Sequence, residues 1–354
     1  MVKVNNKFWK NKKVIITGHT GFKGSWLSLI LTSYGSKVYG YSLKPNNNQK
    51  LYKLFDIENI IERSEFGNIL NHAKLFSFCN KIQPDIIIHL ASQSLVMEAY
   101  NKPYNNFQSN ITGTINLLNI ADNLISLKLF LNVTTDKVYK IKNKLCSFKE
   151  SDELYANDPY GISKVCSDLL TQSYNSFKKN KNLIFLTARS GNIIGGGDFS
   201  KNRLVPDILK AIIANKKLVV RNPSHIRPWQ HIFEPITGYL MLIENFYHCK
   251  NINRKDYAWN FGPNLSSCVS VSHIVKIFHK FCQIKFEISN NSNNYVETKH
   301  LTLNSSKAKK YLHWKPTWSL NTAIENIIEW NNYNNQSRDI KKFSLTQFKQ
   351  FLKY

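Results

Sequence analysis

Short apolar runs alternate with longer amphipathic stretches through the first half of the chain. The amphipathic stretches from Pro103 to Asp122 and from Tyr160 to Lys178 have the period of helices. The apolar runs predict β-strands, namely VIIT at Val14, KVYGYS at Lys37, DIIIHLA at Asp85, LKLFLNVT at Leu127 and LIFLTAR at Leu183. Because this alternation is typical of βαβ units, we expect an α/β fold with a doubly wound parallel sheet.

After Arg189 the rhythm changes, and loops rich in Gly and Pro appear between shorter helices, as in GNIIGGGDF, RNPSHIRPWQ and NFGPN. This change predicts a second, smaller C-terminal α/β domain. We expect residues 8–190 to form the first domain, with 228–260 returning to it through a helix near Glu234 to His248 and the strand YAWNF. Residues 191–227 and 261–354 are expected to form the second domain, which would bind the substrate.

Three glycines stand three residues apart where the first predicted strand gives way to a helix, in the sequence VIITGHTGFKGSW. A glycine after a strand permits a tight turn, a second lets backbone N–H groups approach a diphosphate, and a third allows close helix packing. The helix N-terminus adds unpaired N–H donors and a partial positive charge. The pattern therefore predicts a Rossmann-type dinucleotide-binding domain, with cofactor contacts from Gly18, Thr20, Gly21, Phe22, Lys23 and Gly24.

A second constellation of polar residues lies far along the chain. NVTTDKVY places Thr135 at the carboxyl end of a predicted parallel strand, where open α/β sheets bind ligands. DPYGISK places Tyr160 and Lys164 four residues apart, on one face of a helix. A nearby ammonium and a positively charged nicotinamide ring both lower the pKa of a tyrosine, which is about 10 in solution. Such a tyrosine can take the proton of a sugar hydroxyl while hydride leaves the same carbon, and the threonine can hydrogen-bond that oxygen.

Asp136 and Lys137 extend the chemistry beyond simple oxidation. A ketone at C4 of a hexose makes the C5 proton acidic, so a base can remove it while an acid helps the C6 hydroxyl to leave. Adjacent Asp and Lys side chains can supply that acid and base, and the base role requires the neutral amine. The pair therefore predicts an internal redox dehydration in which the cofactor ends as it began.

Charge and cysteine usage change this picture little. The formal net charge of +25 arises from 48 Lys and Arg against 23 Asp and Glu. The lysines are spread along the chain among Asn and Ile, so we expect no nucleic-acid partner, although an anionic substrate would gain some steering. No apolar run approaches the roughly 20 residues of a membrane helix. The six cysteines are scattered singly, so we expect a cytoplasmic protein with no disulfide, no metal and no membrane association.

Several longer motifs carry a family resemblance from about Lys12 to Trp330. They are HTGFKGSWL at His19, TTDK at Thr134, DPYGISK at Asp158, RSGNIIGGGDF at Arg189, RLVPD at Arg203, RNPSHIRPWQHIFEP at Arg221 and YAWNFGP at Tyr257. Together they resemble the CDP-glucose 4,6-dehydratases of the extended short-chain dehydrogenase/reductase superfamily. Other nucleotide-sugar 4,6-dehydratases usually carry Asp-Glu where this chain has Asp136-Lys137, which favours the CDP-sugar branch.

The resemblance implies a lyase that converts CDP-glucose to CDP-4-dehydro-6-deoxyglucose and water with NAD. It makes Tyr160 the redox base, Lys164 its electrostatic partner and nicotinamide-ribose ligand, and Thr135 the hydrogen bonder. Asp136 becomes the acid at C6 and Lys137 the base at C5. Further cofactor contacts are implied for Ser42, Asn68, Leu90 and Ala91, and substrate contacts for Gln93, Asn192, Arg203, Arg227 and His231. The family also implies a homodimer or a dimer of dimers, and a role in lipopolysaccharide O-antigen biosynthesis.

Three positions depart from the family pattern. Ser42 and Asn68 stand where relatives hold acidic residues beside the adenosine, which leaves NADP open although NAD is favoured. Met97 replaces a usual arginine and leaves the sugar open. Two other function classes remain: a nucleotide-sugar epimerase or reductase on the same scaffold, and a non-enzymatic NAD-responsive binding protein. The intact Thr135, Tyr160 and Lys164 argue against the second.

Overall fold

A parallel sheet of seven strands forms the centre of the larger lobe. The computed structural model describes residues 4–141, 147–249, 252–288, 300–336 and 339–354. Its strands are β1 Lys13–Thr17, β2 Lys37–Ser42, β3 Arg63–Phe66, β4 Ile86–His89, β5 Leu129–Val133, β6 Ile184–Ser190, β7 Asn192–Ile194, β8 Leu218–Val220, β9 Ile226–His231, β10 Ala258–Phe261, β11 Cys268–Ser270 and β12 Phe286–Ile288. The seven-stranded sheet has the order β10-β6-β5-β4-β1-β2-β3, and all of its pairs are parallel.

Helices follow most of these strands. They are α1 Asn6–Trp9, α2 Phe22–Ser33, α3 Lys50–Leu54, α4 Ile57–Ile60, α5 His72–Ile82, α6 Val96–Asn101, α7 Pro103–Phe107, α8 Gly113–Asp122, α9 Pro159–Phe177, α10 Leu204–Ile213, α11 Phe233–Phe246, α12 Val271–Cys282, α13 Ser306–Tyr311, α14 Leu320–Asn335 and α15 Ile340–Phe351. A π-helical turn, Gln108–Thr112, joins α7 to α8.

Both faces of the large sheet are covered, and its central strands are buried at nearly every position. On β1, Val14 and Ile16 join one buried cluster and Ile15 joins the other. The first cluster includes side chains of α2, α11 and α15, and the second includes side chains of α5 and α8. Side chains that alternate in this way predict helices on both faces of a parallel sheet. The predicted Rossmann-type doubly wound sheet is confirmed.

The smaller lobe has its own core. A three-stranded sheet pairs β9 with β11 in antiparallel fashion and with β7 in parallel, and β8 pairs with β12. These strands and helices α10, α12 and α14 share a third buried cluster. In the segment 228–260, α11 and β10 belong to the large sheet's layers, whereas the start of the segment lies on β9 in the smaller sheet. The domain boundaries themselves stay predictions.

The predicted elements recur with small shifts, apart from two differences. From the sequence we also predict that the strand after KVYGYS is FGNILN. The structure places β3 at Arg63–Phe66, with the polar sequence RSEF, and most of FGNILN follows it. The predicted helix from Pro103 to Asp122 is interrupted by the π-helical turn. Five of the six cysteines are free thiols, and Cys146 lies outside the described residues.

Within the described ranges, we find no helix with the length and apolar character that crossing a membrane requires.

Candidate active site

A cleft of about 860 Å³ opens at the carboxyl ends of the large sheet's strands and is closed on its far side by the smaller lobe. This position is where open α/β sheets bind ligands, because the chain connections diverge there and leave a crevice. All five predicted catalytic residues and all ten further predicted cofactor residues line it. Of the five predicted substrate residues, Gln93, Asn192, Arg203 and Arg227 line it as well.

The glycine turn has the geometry that a dinucleotide diphosphate requires. Gly18 has a φ of +75°, and a Cβ there would lie 2.8 Å from the backbone nitrogen of Ala91. A Cβ on Gly24 would overlap the carbonyl oxygen of Gly18, so this glycine allows α2 to start directly against the turn. Gly21, the N-cap of α2, faces open space apart from the Gly18 oxygen at 3.3 Å. The first backbone N–H groups of α2 therefore face an open space, which we call the cradle, and a side chain at position 21 would partly fill it.

The adenosine end of the cleft is held by short hydrogen bonds among the predicted residues. The Ser42 hydroxyl lies 2.5 Å from the Thr20 hydroxyl. Asn68 accepts a hydrogen bond from Leu70 N through its side-chain oxygen, at 2.9 Å. Ser42 and Asn68 thus present neutral groups that are engaged with the protein itself.

Thr135 and Asp136 bring a hydroxyl and a buried carboxyl together just after β5. Thr135 donates its hydroxyl to Asp136 Oδ1 at 3.1 Å, and the backbone N–H of Lys137 donates to the same hydroxyl at 3.4 Å. Asp136 is 2% exposed, and its Oδ2 has no hydrogen-bond partner among the described residues. Burial raises the pKa of Asp136 above its usual value, against the opposing positive charge of Lys137. The site therefore stabilises the protonated form of this carboxyl relative to water.

Tyr160 and Lys164 line the cleft from the first turns of α9, as their spacing predicted. Asp158 caps this helix by accepting from Gly161 N at 2.9 Å. Burial raises the pKa of Tyr160 to about 12, while the Thr135 hydroxyl and Arg203 pull it down. Burial lowers the pKa of Lys164 to about 8. The expected lowering of the tyrosine's pKa is thus outweighed by burial within the protein alone, and a base role needs a further positive charge beside the phenol.

Lys23 brings another amine close to these groups. Burial is the main cause that lowers the pKa of Lys23 to about 7, and the positive charges of Lys164 and Arg203 contribute to this lowering. Lysine and arginine side chains outnumber aspartate and glutamate side chains along the cleft, an arrangement suited to an anionic ligand.

The predicted substrate residues on the smaller-lobe side are partly tied to their neighbours. Arg203 pairs with Asp198 at 3.3 Å and reaches Ser94 Oγ at 3.4 Å. Arg227 donates to the carbonyl of Ile226 at 2.8 Å. On the opposite wall, the side-chain oxygen of Gln93 is buried and has no hydrogen-bond partner among the described residues.

His231 is the one predicted substrate residue that the structure places away from the cleft. Its ring lies 4.4 Å from the Phe233 ring and 4.8 Å from the Trp318 ring, and Nδ1 accepts from Phe233 N at 3.3 Å. Burial lowers the pKa of His231 to about 3. It is a neutral core side chain, because at the end of β9 its ring is enclosed by Phe233 and Trp318 rather than open to the cleft, and we remove it from the substrate set.

Asp198 and Arg221 are among the charged cleft residues that sequence reasoning missed. Arg221 opens the motif RNPSHIRPWQ, and its Nη1 lies 3.8 Å from Met97 Sδ. An arginine therefore stands beside position 97, supplied by the other lobe. Asp198 lies five residues before Arg203, after the glycine-rich loop, and this proximity was the sequence signal that could have identified it. The spacing alone does not predict that the two side chains pair. Across the described ranges, no group of three or more His, Cys, Asp or Glu side chains is placed to hold a metal ion.

Comparison with known proteins agrees with this geometry. Residues 15–327 match the family model described as GDP-mannose 4,6 dehydratase. The CDP-glucose 4,6-dehydratase of Salmonella typhimurium is 35% identical over 334 residues, which cover 92% of each chain.

Solved structures share the fold. An epimerase from Methanothermobacter thermautotrophicus superposes with a TM-score of 0.80 at 20% identity, over 95% of this chain and 96% of its own. The dTDP-glucose 4,6-dehydratase of Bacillus anthracis, in complex with NAD, has a TM-score of 0.75 at 21% identity, over 92% and 98% of the two chains. The match over most of the chain confirms the resemblance drawn from the motifs: this chain belongs to the GDP-mannose 4,6-dehydratase family, within the extended short-chain dehydrogenases/reductases.

Proposed function

We propose that this chain is an NAD-dependent CDP-glucose 4,6-dehydratase, a lyase that forms CDP-4-dehydro-6-deoxyglucose and water. The observation that carries the proposal is the buried carboxyl of Asp136, whose Oδ2 has no hydrogen-bond partner among the described residues, in the same cleft as Tyr160 and Lys164. An oxidoreductase that only moves a hydride has no need of such an acid. The 35% identity to the Salmonella typhimurium enzyme supports the choice of reaction and of nucleotide.

The residues present fit NAD. The open cradle at Gly21 and the N-terminus of α2 suit its diphosphate, and Ser42 and Asn68 lie where its adenosine would end. NAD would accept a hydride from the hexose, return it later, and bring a positive nicotinamide ring next to Tyr160. That charge is what the phenol needs to offset burial and act as a base near neutral pH.

The side chains divide the proton transfers among themselves. Tyr160 takes the proton of the C4 hydroxyl, and Thr135 holds that oxygen by a hydrogen bond while the C4–H bond breaks. Lys137 removes the C5 proton once C4 is a ketone. Asp136 gives its proton to the C6 hydroxyl, which leaves as water, and a C5–C6 double bond forms. When hydride returns to C6, the proton on Lys137 goes back to C5. Tyr160 then holds the proton of the C4 hydroxyl and Asp136 has lost one, so a proton transfer from Tyr160 to Asp136 restores the starting state of the enzyme.

We assign the cytidine diphosphate to the smaller-lobe side of the cleft. Arg203 and Arg227 are placed to meet phosphate oxygens, for which the guanidinium geometry is well suited. Gln93 and Asn192 also line the cleft, and we assign them to the sugar. The buried, unpartnered oxygen of Gln93 is an acceptor for a sugar hydroxyl.

The proposal extends to assembly and cellular role. Large apolar side chains stand exposed on α7, α8 and α9, with Tyr104 at 72% and Phe177 at 60% exposure, and supply a surface for a homodimer. A cytoplasmic location and a part in making deoxy sugars for bacterial surface polysaccharides rest on the family resemblance.

The test is to incubate the purified protein with NAD and, separately, CDP-, dTDP-, GDP- and UDP-hexoses, and to identify products by mass and NMR. CDP-glucose should lose one water without net build-up of reduced cofactor, and in deuterated water the product should carry deuterium at C5. Tyr160→Phe should cut turnover by orders of magnitude with the fold retained, since the redox base is lost.

The outcomes separate the function classes. A product of unchanged mass with inverted C4 would identify an epimerase, and stoichiometric reduced cofactor would identify a simple dehydrogenase. Turnover of another nucleotide hexose alone would correct the substrate. Full activity of Tyr160→Phe would reject the proposed base.

A further inference from the structure

A buried ion pair beneath the cleft joins α9 to the large sheet. Asp168 is fully buried on α9, and its carboxylate accepts from Arg189 Nε at 2.9 Å and from Arg189 Nη2 at 2.7 Å. Gln172 donates to the same carboxylate at 2.6 Å. Arg189, on β6, is 1% exposed. Such a bidentate, fully bonded pair is rigid, because movement of either partner would leave a charge uncompensated.

Both partners of this pair also hold a side chain of the segment that carries the catalytic residues. Thr134 donates its hydroxyl to Asp168 Oδ2 at 2.8 Å. Arg189 Nη1 donates to the Tyr139 hydroxyl at 2.8 Å, and that hydroxyl donates in turn to Asn260 Oδ1 at 2.6 Å. We call Thr134–Tyr139 the catalytic segment, since Thr135, Asp136 and Lys137 lie between its two anchored ends.

We propose that the Asp168–Arg189 pair is a clamp that holds both ends of the catalytic segment at a fixed position relative to Tyr160 and Lys164. Asp168 is then a positioning residue, which acts on the reaction through Thr134 and touches no substrate. The inference deepens the proposed function and rests on it for its kinetic readout.

The spacing on α9 shows why this position matters. Tyr160, Lys164 and Asp168 are four residues apart in turn, so they lie along one face of the helix. The first two face the cleft and the third binds the catalytic segment. One face of α9 therefore sets the distance between Tyr160, the redox base, and Asp136, the acid. These two groups must reach the C4 and C6 hydroxyls of the same hexose. A misplacement of about 1 Å at such a site costs up to about a hundredfold in rate.

Two conservative variants loosen the clamp at one end each. Thr134→Val and Tyr139→Phe remove a single hydroxyl and leave the ion pair intact. Tyr139 does not line the cleft, so Tyr139→Phe acts only through position. The matched control is Thr171→Val, which removes a buried hydroxyl of α9 that binds Asn132 at 2.8 Å and has no contact with the catalytic segment.

The first measurement needs no substrate. Hydrogen exchange followed by mass spectrometry should be faster across the catalytic segment in Thr134→Val and Tyr139→Phe, and unchanged there in Thr171→Val. Thr134→Ser, which keeps the hydroxyl, should restore the exchange of the wild type. Equal exchange in the two variants and in the wild type would overturn the clamp, whatever reaction the enzyme catalyses.

The second measurement is steady-state turnover of CDP-glucose. Thr134→Val and Tyr139→Phe should lower kcat by about tenfold with KM within about twofold, because binding groups stay in place while reacting groups shift. A larger fraction of the cofactor should stand reduced during turnover, since the acid and base lie on the loosened segment while Tyr160 does not.

The kinetic outcomes separate two failures. A wild-type enzyme that forms no dehydrated product refutes the proposed function, and the exchange result still decides the clamp. The clamp is refuted if the wild type is active and kcat is unaltered in both variants. It is also refuted if the control Thr171→Val loses as much activity as Thr134→Val.

Discussion

Asp136 lies among the catalytic residues, and its burial makes the stability of the folded protein depend on pH. The pKa of this carboxyl is raised chiefly by burial, and its Oδ2 has no hydrogen-bond partner within the described ranges. A raised pKa means that the folded protein holds the proton more tightly than the unfolded chain. Its contribution to stability is therefore full below the unfolded pKa of about 3.9 and declines as pH rises through the folded pKa.

Asp136→Asn should separate catalysis from stability. The amide carries no charge at any pH, so the variant should melt at a higher temperature than the wild type at neutral pH. It has no acidic proton to give to the C6 hydroxyl, so turnover should fall by about a hundredfold or more while reduced cofactor accumulates. Calorimetry and the absorbance of reduced cofactor measure the two effects.

Asp122→Asn is the control for this experiment. Asp122, the last residue of α8, is also a buried aspartate, but it does not line the cleft and accepts from Lys179 N, just after α9 ends, at 2.8 Å. This variant should lose stability and keep its turnover number. An Asp136→Asn enzyme that still releases dehydrated product at the wild-type rate would show that another group is the acid.

At the scale of elements, α11 is tied to the chain before α14 by one buried carboxylate. Glu234 is 1% exposed and accepts from Trp318 N at 2.8 Å and from Thr317 N at 2.9 Å. Burial raises its pKa to about 8, although these two hydrogen bonds pull it down. The stability that this group contributes is thus full below about pH 4.3 and is lost as pH rises through 8.

Glu234→Gln should flatten the dependence of stability on pH between about 5 and 8, because the amide keeps an acceptor for both N–H groups and does not titrate. The free energy of unfolding of the wild type should fall by an amount on the order of a few kcal/mol over this range. Urea melts at several pH values measure it. Glu153→Gln, at an exposed position, should leave the curve as in the wild type; an unchanged slope in Glu234→Gln would assign the dependence to other groups.

Elements with a strong apolar period were predictable from sequence, and those fixed by tertiary contacts were not. β2 occurs at the predicted residues Lys37–Ser42, because its alternation reports burial directly. β3 reads RSEF and is a strand only because it pairs with β2 at the sheet edge. His231 looked like a ligand because it stands in a polar motif, but its ring is enclosed by Phe233 and Trp318 in the core. The Asp168–Arg189 pair joins residues 21 apart on different elements, which spacing along one helix or strand cannot reveal.

At the scale of the whole molecule, the net charge of +25 gives the protein a long-range field. The lysines are dispersed over the sequence, while Lys23, Arg203, Arg221 and Arg227 converge on the cleft. A dispersed positive charge attracts any polyanion weakly, and a convergent one concentrates a small anion at a site. The field should therefore act on the approach of a nucleotide diphosphate and leave the chemical steps inside the closed cleft unaffected.

Salt provides the test of this division. The Debye length falls from about 30 Å at 0.01 M salt to about 8 Å at 0.15 M, so the distant lysines stop contributing to attraction over that range. We expect kcat/KM for CDP-glucose to fall by several-fold to about tenfold and kcat to stay constant, measured at fixed pH with saturating NAD. Sucrose at matched osmolarity is the control, since it screens no charge. A parallel fall of kcat would mean that salt acts on the reacting groups, and a constant kcat/KM would mean that the surface charge plays no part in capturing the substrate.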